Sequence, residues 1–166
     1  LRLGDLFPLS QNISVLGAVD SSLFSKKKKI LLLGYPDDEG IRLNRGRPGA
    51  ASAPQEIRRV LYKLTPPHHY PDLDDIYFQD LGDLNTNDLK LPERHQLAQE
   101  LVHQILTQGC QSISLGGGHD YGFPDSAAFV EYILKTKPSQ KPLVINFDAH
   151  LDVRPLNRGL TSGTPF

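Results

Sequence analysis

Leu143-Val144-Ile145-Asn146-Phe147-Asp148-Ala149-His150-Leu151-Asp152 is the stretch on which the reading of this chain turns. It opens as a nearly all-apolar run, the composition of a strand buried on both faces, and charge enters only where the run ends. Alternate residues of an extended backbone project from one face, so Asp148, His150 and Asp152 are expected to converge over a few ångströms. This is metal-ligand spacing. Asp and Asn after a strand are also common turn formers, but three merely solvated residues need no common face.

Upstream, Ser112-Ile113-Ser114-Leu115 reads as another strand, broken by Gly116-Gly117-Gly118-His119-Asp120. The glycines let the backbone turn sharply and deliver His119 to the same rim. Two imidazoles and two carboxylates without a thiolate suit manganese, iron or zinc. Ile30-Leu31-Leu32-Leu33 and Ile76-Tyr77-Phe78 supply two earlier strands, the second leading into Asp80-Leu81-Gly82-Asp83. Helices are expected between the strands. Ser52 and Gln55 form a capping-box pattern, and Ile57, Val60, Leu61 and Leu64 recur at helical spacing until Pro66. A second helix from Pro92 buries Leu97, Leu101, Val102 and Ile105 and closes at Gly109. A third carries Phe129, Val130, Ile133 and Leu134 and ends before Pro138. Buried strands alternating with helices predict an α/β fold, a mostly parallel sheet in a three-layer α/β/α sandwich. In such sheets the site lies beyond the carboxyl ends of the strands. His68, His69, His95 and His103 are read as surface or satisfied core residues.

The bulk composition sends function to a local site. With 166 residues, 39% hydrophobic, 22% charged and a net charge of −1, the chain is one globular domain with no field to recruit nucleic acid or a membrane surface. The single Cys110 forbids an intrachain disulfide. No apolar run approaches a membrane span, the amino terminus lacks a secretory pattern, and the expected location is the cytoplasm. Residues 1–25 read as irregular structure, and Lys26 to Lys29 as a solvated strand entry. The absence of Met and the start at Leu1 are read as a lost initiator or an incomplete reading frame, and the turn-forming end Ser162-Gly163-Thr164-Pro165-Phe166 as a cut at the carboxyl side. Two motifs are excluded. Tyr121 stands where a dinucleotide fingerprint begun at Gly116 and Gly118 needs glycine, and Gly159-Leu160-Thr161-Ser162-Gly163 has the wrong spacing for a serine-hydrolase elbow.

Gly117-Gly118-His119-Asp120 and Asn146-Phe147-Asp148-Ala149-His150-Leu151-Asp152 resemble the first two signatures of the ureohydrolases, binuclear manganese enzymes that include arginases, agmatinases and formimidoylglutamases. Asp38-Glu39-Gly40, Gly46-Arg47-Pro48-Gly49-Ala50 and Thr161-Ser162-Gly163-Thr164-Pro165-Phe166 are most similar to the formimidoylglutamase branch. The resemblance makes residues 1–166 the amino-terminal part of a single such domain. It implies that His119, Asp148 and Asp152 hold one Mn2+, that His150 holds the other, and that Asp148 bridges them. No protein nucleophile is implied, since hydrolysis would use a hydroxide held between the ions. Substrate contacts fall to Arg154, Asn157, Arg158 and Ser162.

Ser162 is a departure, because arginases and many agmatinases carry a proton-relaying His there. The family's later Asp-any-Asp pair would lie beyond Phe166, and two strands of that later half would stand between the third and fourth strands. Without them His119 and Asp148 are expected to sit apart, and two carboxylates are too few for two divalent ions. The implied reaction converts N-formimidoyl-L-glutamate and water to L-glutamate and formamide in histidine degradation, with a fragment inactive alone. Agmatine or another guanidino compound is the alternative substrate, and a non-catalytic interaction domain the alternative of another class. The implied partner is a small-molecule substrate, with neither nucleic acid nor membrane, and a homo-oligomer is expected of the whole protein.

Overall fold

The computed structural model describes residues 28–65, 75–150 and 152. Three parallel strands form its sheet: β1 (Lys28–Gly34), β2 (Ile76–Asp83) and β3 (Gln111–Leu115), in the order β2-β1-β3. β1 is central, with Ile30 opposite Phe78 on one side and Gln111 on the other. Four helices accompany the strands: α1 (Glu39–Leu43), α2 (Ala53–Leu61), α3 (Leu91–Thr107) and α4 (Gly122–Thr136).

The apolar run of β1 explains the layers. Successive side chains point to opposite faces, so Leu31 and Leu33 go one way and Leu32 the other, all at 1% exposure or less. Leu31 and Leu33 join Ala98, Leu101, Val102 and Ile105 of α3 and Ala128 of α4 in the main core. Leu32 and Leu115 face Leu61 and Tyr62 at the end of α2. Helices thus cover both faces of a parallel sheet, as expected. The α3 periodicity holds, Gly109 follows the helix at φ +73°, and α4 stops at Thr136 before Pro138. No helix among the described residues is long and apolar enough to cross a membrane. The irregular segment 1–25 lies outside the described residues, as do Lys26, Lys27, His68 and His69.

Three expectations are corrected. First, Leu143–Phe147 forms no strand: Leu143, Ile145 and Phe147 are 75%, 66% and 96% exposed. An apolar run becomes a buried strand only beside a neighbour that takes its backbone hydrogen bonds, and no strand among the described residues pairs with it. Second, the apolar residues at helical spacing in and just after α2 face outward except Leu61. Ile57, Val60 and Leu64 are exposed, while Arg58 and Pro54 are buried. Arg58 faces inward because two carboxylates at the end of β2 receive it: Nε donates to Asp80 Oδ2 (2.7 Å), Nη2 to Asp80 Oδ1 (3.0 Å) and to the Gly82 carbonyl (2.8 Å), and Nη1 to Asp83. Third, Ser52 caps nothing. A 3-10 turn, Ala50–Ser52, precedes α2 and puts Ser52 itself in helical backbone geometry, and its hydroxyl donates to the Gly49 carbonyl (2.9 Å).

Candidate metal centre

All strands of a parallel sheet end at one rim, and here the loops after β1 and β3 are joined there. Tyr35 N–H donates to the Leu115 carbonyl and Gly118 N–H to the Asp37 carbonyl, each at 3.0 Å. Gly116 and Gly117 take φ +68° and +78°, a region that disfavours side chains, and a Cβ on Gly116 would lie 2.5 Å from the Pro54 ring. The chain then makes one 3-10 turn, His119–Tyr121, before α4. This turn sends neighbouring side chains in opposite directions. His119 is 39% exposed at the rim, whereas Asp120 is 1% exposed.

His119, Asp148 and Asp152 come together. His119 Nδ1 lies 3.6 Å from Asp148 Oδ2 and 3.7 Å from Asp152 Oδ2, and one donor atom from each residue falls within 4.8 Å of the others. The expected separation of His119 from Asp148 is not seen. Nor does the convergence arise from extended backbone. Asp148 Oδ1 accepts the His150 N–H (2.8 Å), folding the chain into a turn, and Asp152 has φ +53°. That N–H, helped by the His150 and His119 rings, holds the Asp148 carboxyl below its ordinary value against the opposing effect of desolvation. The turn also removes His150 from the group. Its ring is 82% exposed, with Nδ1 3.3 Å from Asp148 Oδ1. Arg154, Asn157, Arg158 and Ser162 lie outside the described residues. One imidazole nitrogen and two carboxylates around a common point suit a divalent cation of the manganese or zinc type.

Sequence reasoning missed the polar framework behind this rim. Asp37, 5% exposed, accepts hydrogen bonds from the Glu39 N–H (2.9 Å), Tyr121 Oη (2.8 Å) and Arg94 Nη1 (3.0 Å). Burial pushes its carboxyl up, but these donors together hold it below the ordinary value. Arg94 also pairs with Glu39 at 2.8 Å. Tyr35 Oη donates to Asp125 (2.6 Å), and burial first, then that carboxylate, raises the phenol well above its usual value. His95 is the satisfied inner residue of the two readings given for it, and its partner is what the sequence did not show: its Nε2 meets Asp120 Oδ2 at 2.6 Å. A signal existed for His95: it shares a helical stripe with Leu91, Ala98 and Val102, all buried.

A parallel sheet under helices, with an imidazole and two carboxylates gathered beyond its strand ends, is an α/β fold with a candidate cation site at its rim. The arginase family description matches residues 28–166, and the chain belongs to that family. It is 37% identical over 149 residues to a formimidoylglutamase of Clostridium tetani, a match covering 89% of this chain and 43% of that protein. Among solved structures it resembles Trypanosoma cruzi formiminoglutamase with Mn2+, at TM-score 0.69 and 35% identity over 87% of this chain and 49% of the other. Formimidoylglutamase from Bacillus subtilis superimposes at TM-score 0.70 and 25% identity, covering 99% of this chain and 46% of that one. The chain therefore spans less than half the length of these relatives.

Proposed function

We propose that the protein containing this chain is a Mn2+-dependent hydrolase of the C–N bond of an amidine, converting N-formimidoyl-L-glutamate and water to L-glutamate and formamide in histidine degradation in the cytoplasm. The observation that carries the reading is the convergence of His119, Asp148 and Asp152 within 4.8 Å, in a chain whose relatives are named formimidoylglutamases. His119, Asp148 and Asp152 would hold one cation, and His150, sharing Asp148, the other. When bound, such a pair lowers the pKa of water and stabilises the charge that develops at an attacked amidine carbon.

The remaining roles fall to the chain's own groups. Asp148 and Asp152 supply negative charge that partly balances the cations, and their part-exposed side chains leave room for a substrate. The substrate carries two carboxylates, and Arg154 and Arg158, close after Asp152, are suited to bind them bidentately, with Asn157 and Ser162 as neutral donors. A serine hydroxyl at Ser162 cannot take up a proton near neutral pH as an imidazole does, which favours an amidine substrate over an arginase-type reaction. The test is turnover by the whole protein with Mn2+, offering formimidoyl-glutamate, agmatine and arginine and detecting formamide or urea. Formamide release from formimidoyl-glutamate is expected. A preference for agmatine overturns the substrate assignment, and inactivity on all three overturns the reading.

A further inference from the structure

We propose that His95 and Asp120 form a positioning pair that sets the location of the His119 imidazole; the proposal rests on the metal-centre reading above. Neither residue joins the cluster of His119, Asp148 and Asp152. Their effect is on the turn that carries His119. Asp120 is 1% exposed, and Nε2 of His95 lies 2.6 Å from its Oδ2. Its Oδ1 is buried with no hydrogen-bond partner among the described residues. A buried carboxylate with one oxygen unmatched is an expensive way to fill space, and an apolar side chain would fill it at lower cost.

The carboxylate sits where three segments of the chain meet. A Cβ on Gly40 would lie 2.5 Å from Asp120 Cγ and Oδ1, and one on Gly118 would overlap Oδ1. Glycine at both positions is what admits the carboxylate between the loop after β1 and the loop after β3. His95, from α3, closes the third side. Its ring stands edge-on to Tyr121, centroids 5.0 Å apart, and Tyr121 stacks on Tyr35 at 4.4 Å while donating to Asp37. Gly118 before His119 and Tyr121 after it are both held: Gly118 by its N–H to the Asp37 carbonyl, Tyr121 by the two rings and Asp37. His119 thus projects from a turn fixed on each side. Asp148 and Asp152 arrive from a different stretch of chain, so the 3.6 and 3.7 Å approaches of His119 Nδ1 depend on where that turn sits. An outer residue that orients a ligand typically changes metal affinity when lost.

The experiment is a Mn2+ titration of the whole protein, reading free ion by electron paramagnetic resonance, with thermal melting of every variant in parallel. His95→Phe keeps a ring against Tyr121 and deletes the donor, and its Mn2+ affinity is expected to fall roughly 10-fold or more. His95→Gln, which restores a donor, should recover most of that loss. Asp120→Ser gives up the reach to His95 without leaving a buried charge, so it should show the same fall and stands in if His95→Phe does not fold. Affinity equal to wild type in Asp120→Ser and in any folded His95→Phe, even with a lowered melting temperature, would reduce the pair to a structural contact and overturn the proposal. Wild-type protein that binds no Mn2+ would overturn the metal-centre reading and this pairing with it, an outcome distinct from wild-type binding with unchanged variants.

Discussion

Arg58→Ala isolates the interaction that decides which way α2 faces. Asp80 is fully buried, and Arg58 gives it two hydrogen bonds at 2.7 and 3.0 Å. Burial works against the guanidinium, yet Asp80 and Asp83 outweigh it and hold Arg58 above its ordinary pKa, so the guanidinium is charged in the fold. Removing one partner of a buried pair costs about 3–5 kcal/mol. Asp80 would keep the Gly82 N–H (2.8 Å) and the Tyr62 hydroxyl, and Asp83 is exposed enough to hydrate, which places the loss at about 3 kcal/mol. At about 2–4 °C per kcal/mol for a chain of this size, the melting temperature should drop by about 6–12 °C. Urea and thermal unfolding followed by circular dichroism would measure it. Arg58→Ala combined with Asp80→Leu should be less destabilised than the sum of the two single variants, because the uncompensated charge is gone. A loss under about 1 kcal/mol in Arg58→Ala would refute the inference that this pair orients the helix.

Asp148→Asn removes the one carboxylate assigned to both cations and should be the most damaging single change to Mn2+ content; near-wild-type manganese by elemental analysis would contradict the assignment. Arg154→Ala in the whole protein should raise KM for formimidoyl-glutamate with little change in metal content, as loss of a binding contact does, and an unchanged KM would argue against a role for Arg154. The 166-residue chain by itself, with two carboxylates for two divalent ions, should show no hydrolysis and weak Mn2+ binding, an expectation that tight two-ion binding in calorimetry would defeat. Stability should also fall in alkali. Burial, followed by Asp125 for Tyr35 and Asp37 for Tyr121, raises both phenols above their ordinary value, whereas the unfolded chain ionises near pH ~10. The stabilisation from keeping them neutral is therefore complete below that pH and is lost as pH climbs toward the folded values. Absorbance titration of the six tyrosines beside pH-dependent melts tests this, and ordinary titration of all six with constant stability would exclude it.

The parts of the fold legible in the sequence were those in which local pattern and tertiary environment agree. Ile30–Leu33 is apolar because both of its faces are covered, and the stripe of α3 is apolar because the sheet lies beneath it. The orientation of α2 was not legible, since its period reveals a stripe but not which side meets the sheet. The deciding partner, Asp80, lies 22 positions from Arg58. Leu143–Phe147 has the composition of a strand, but a ladder is a property of two segments, and composition describes only one. At the candidate site, residue types and their nearness to the strand ends were readable, whereas the turn made by Asp148 with the His150 N–H was not, and it turns His150 outward. The His95–Asp120 contact was hidden for the same reason as Arg58: each half looks ordinary until the other, 25 positions away, is beside it.

The central place of β1 has a consequence for how the chain is made. Lys28 pairs across from Ile76, and Ile30 from Gln111, so the earliest of the three strands gains its neighbours only after long stretches of chain have followed it. Its ladders cannot begin with a local hairpin, and loop closure is paid before either pairing contributes. During synthesis the run Ile30–Leu33 waits without cover, an uncharged, β-prone segment able to pair with the wrong chain. Lys28 and Lys29, which add little to the finished core, stand directly before it. Their charges are placed to keep nascent chains apart until β3 arrives, so replacing both with Ser should lower the soluble yield more than the stability of the folded protein.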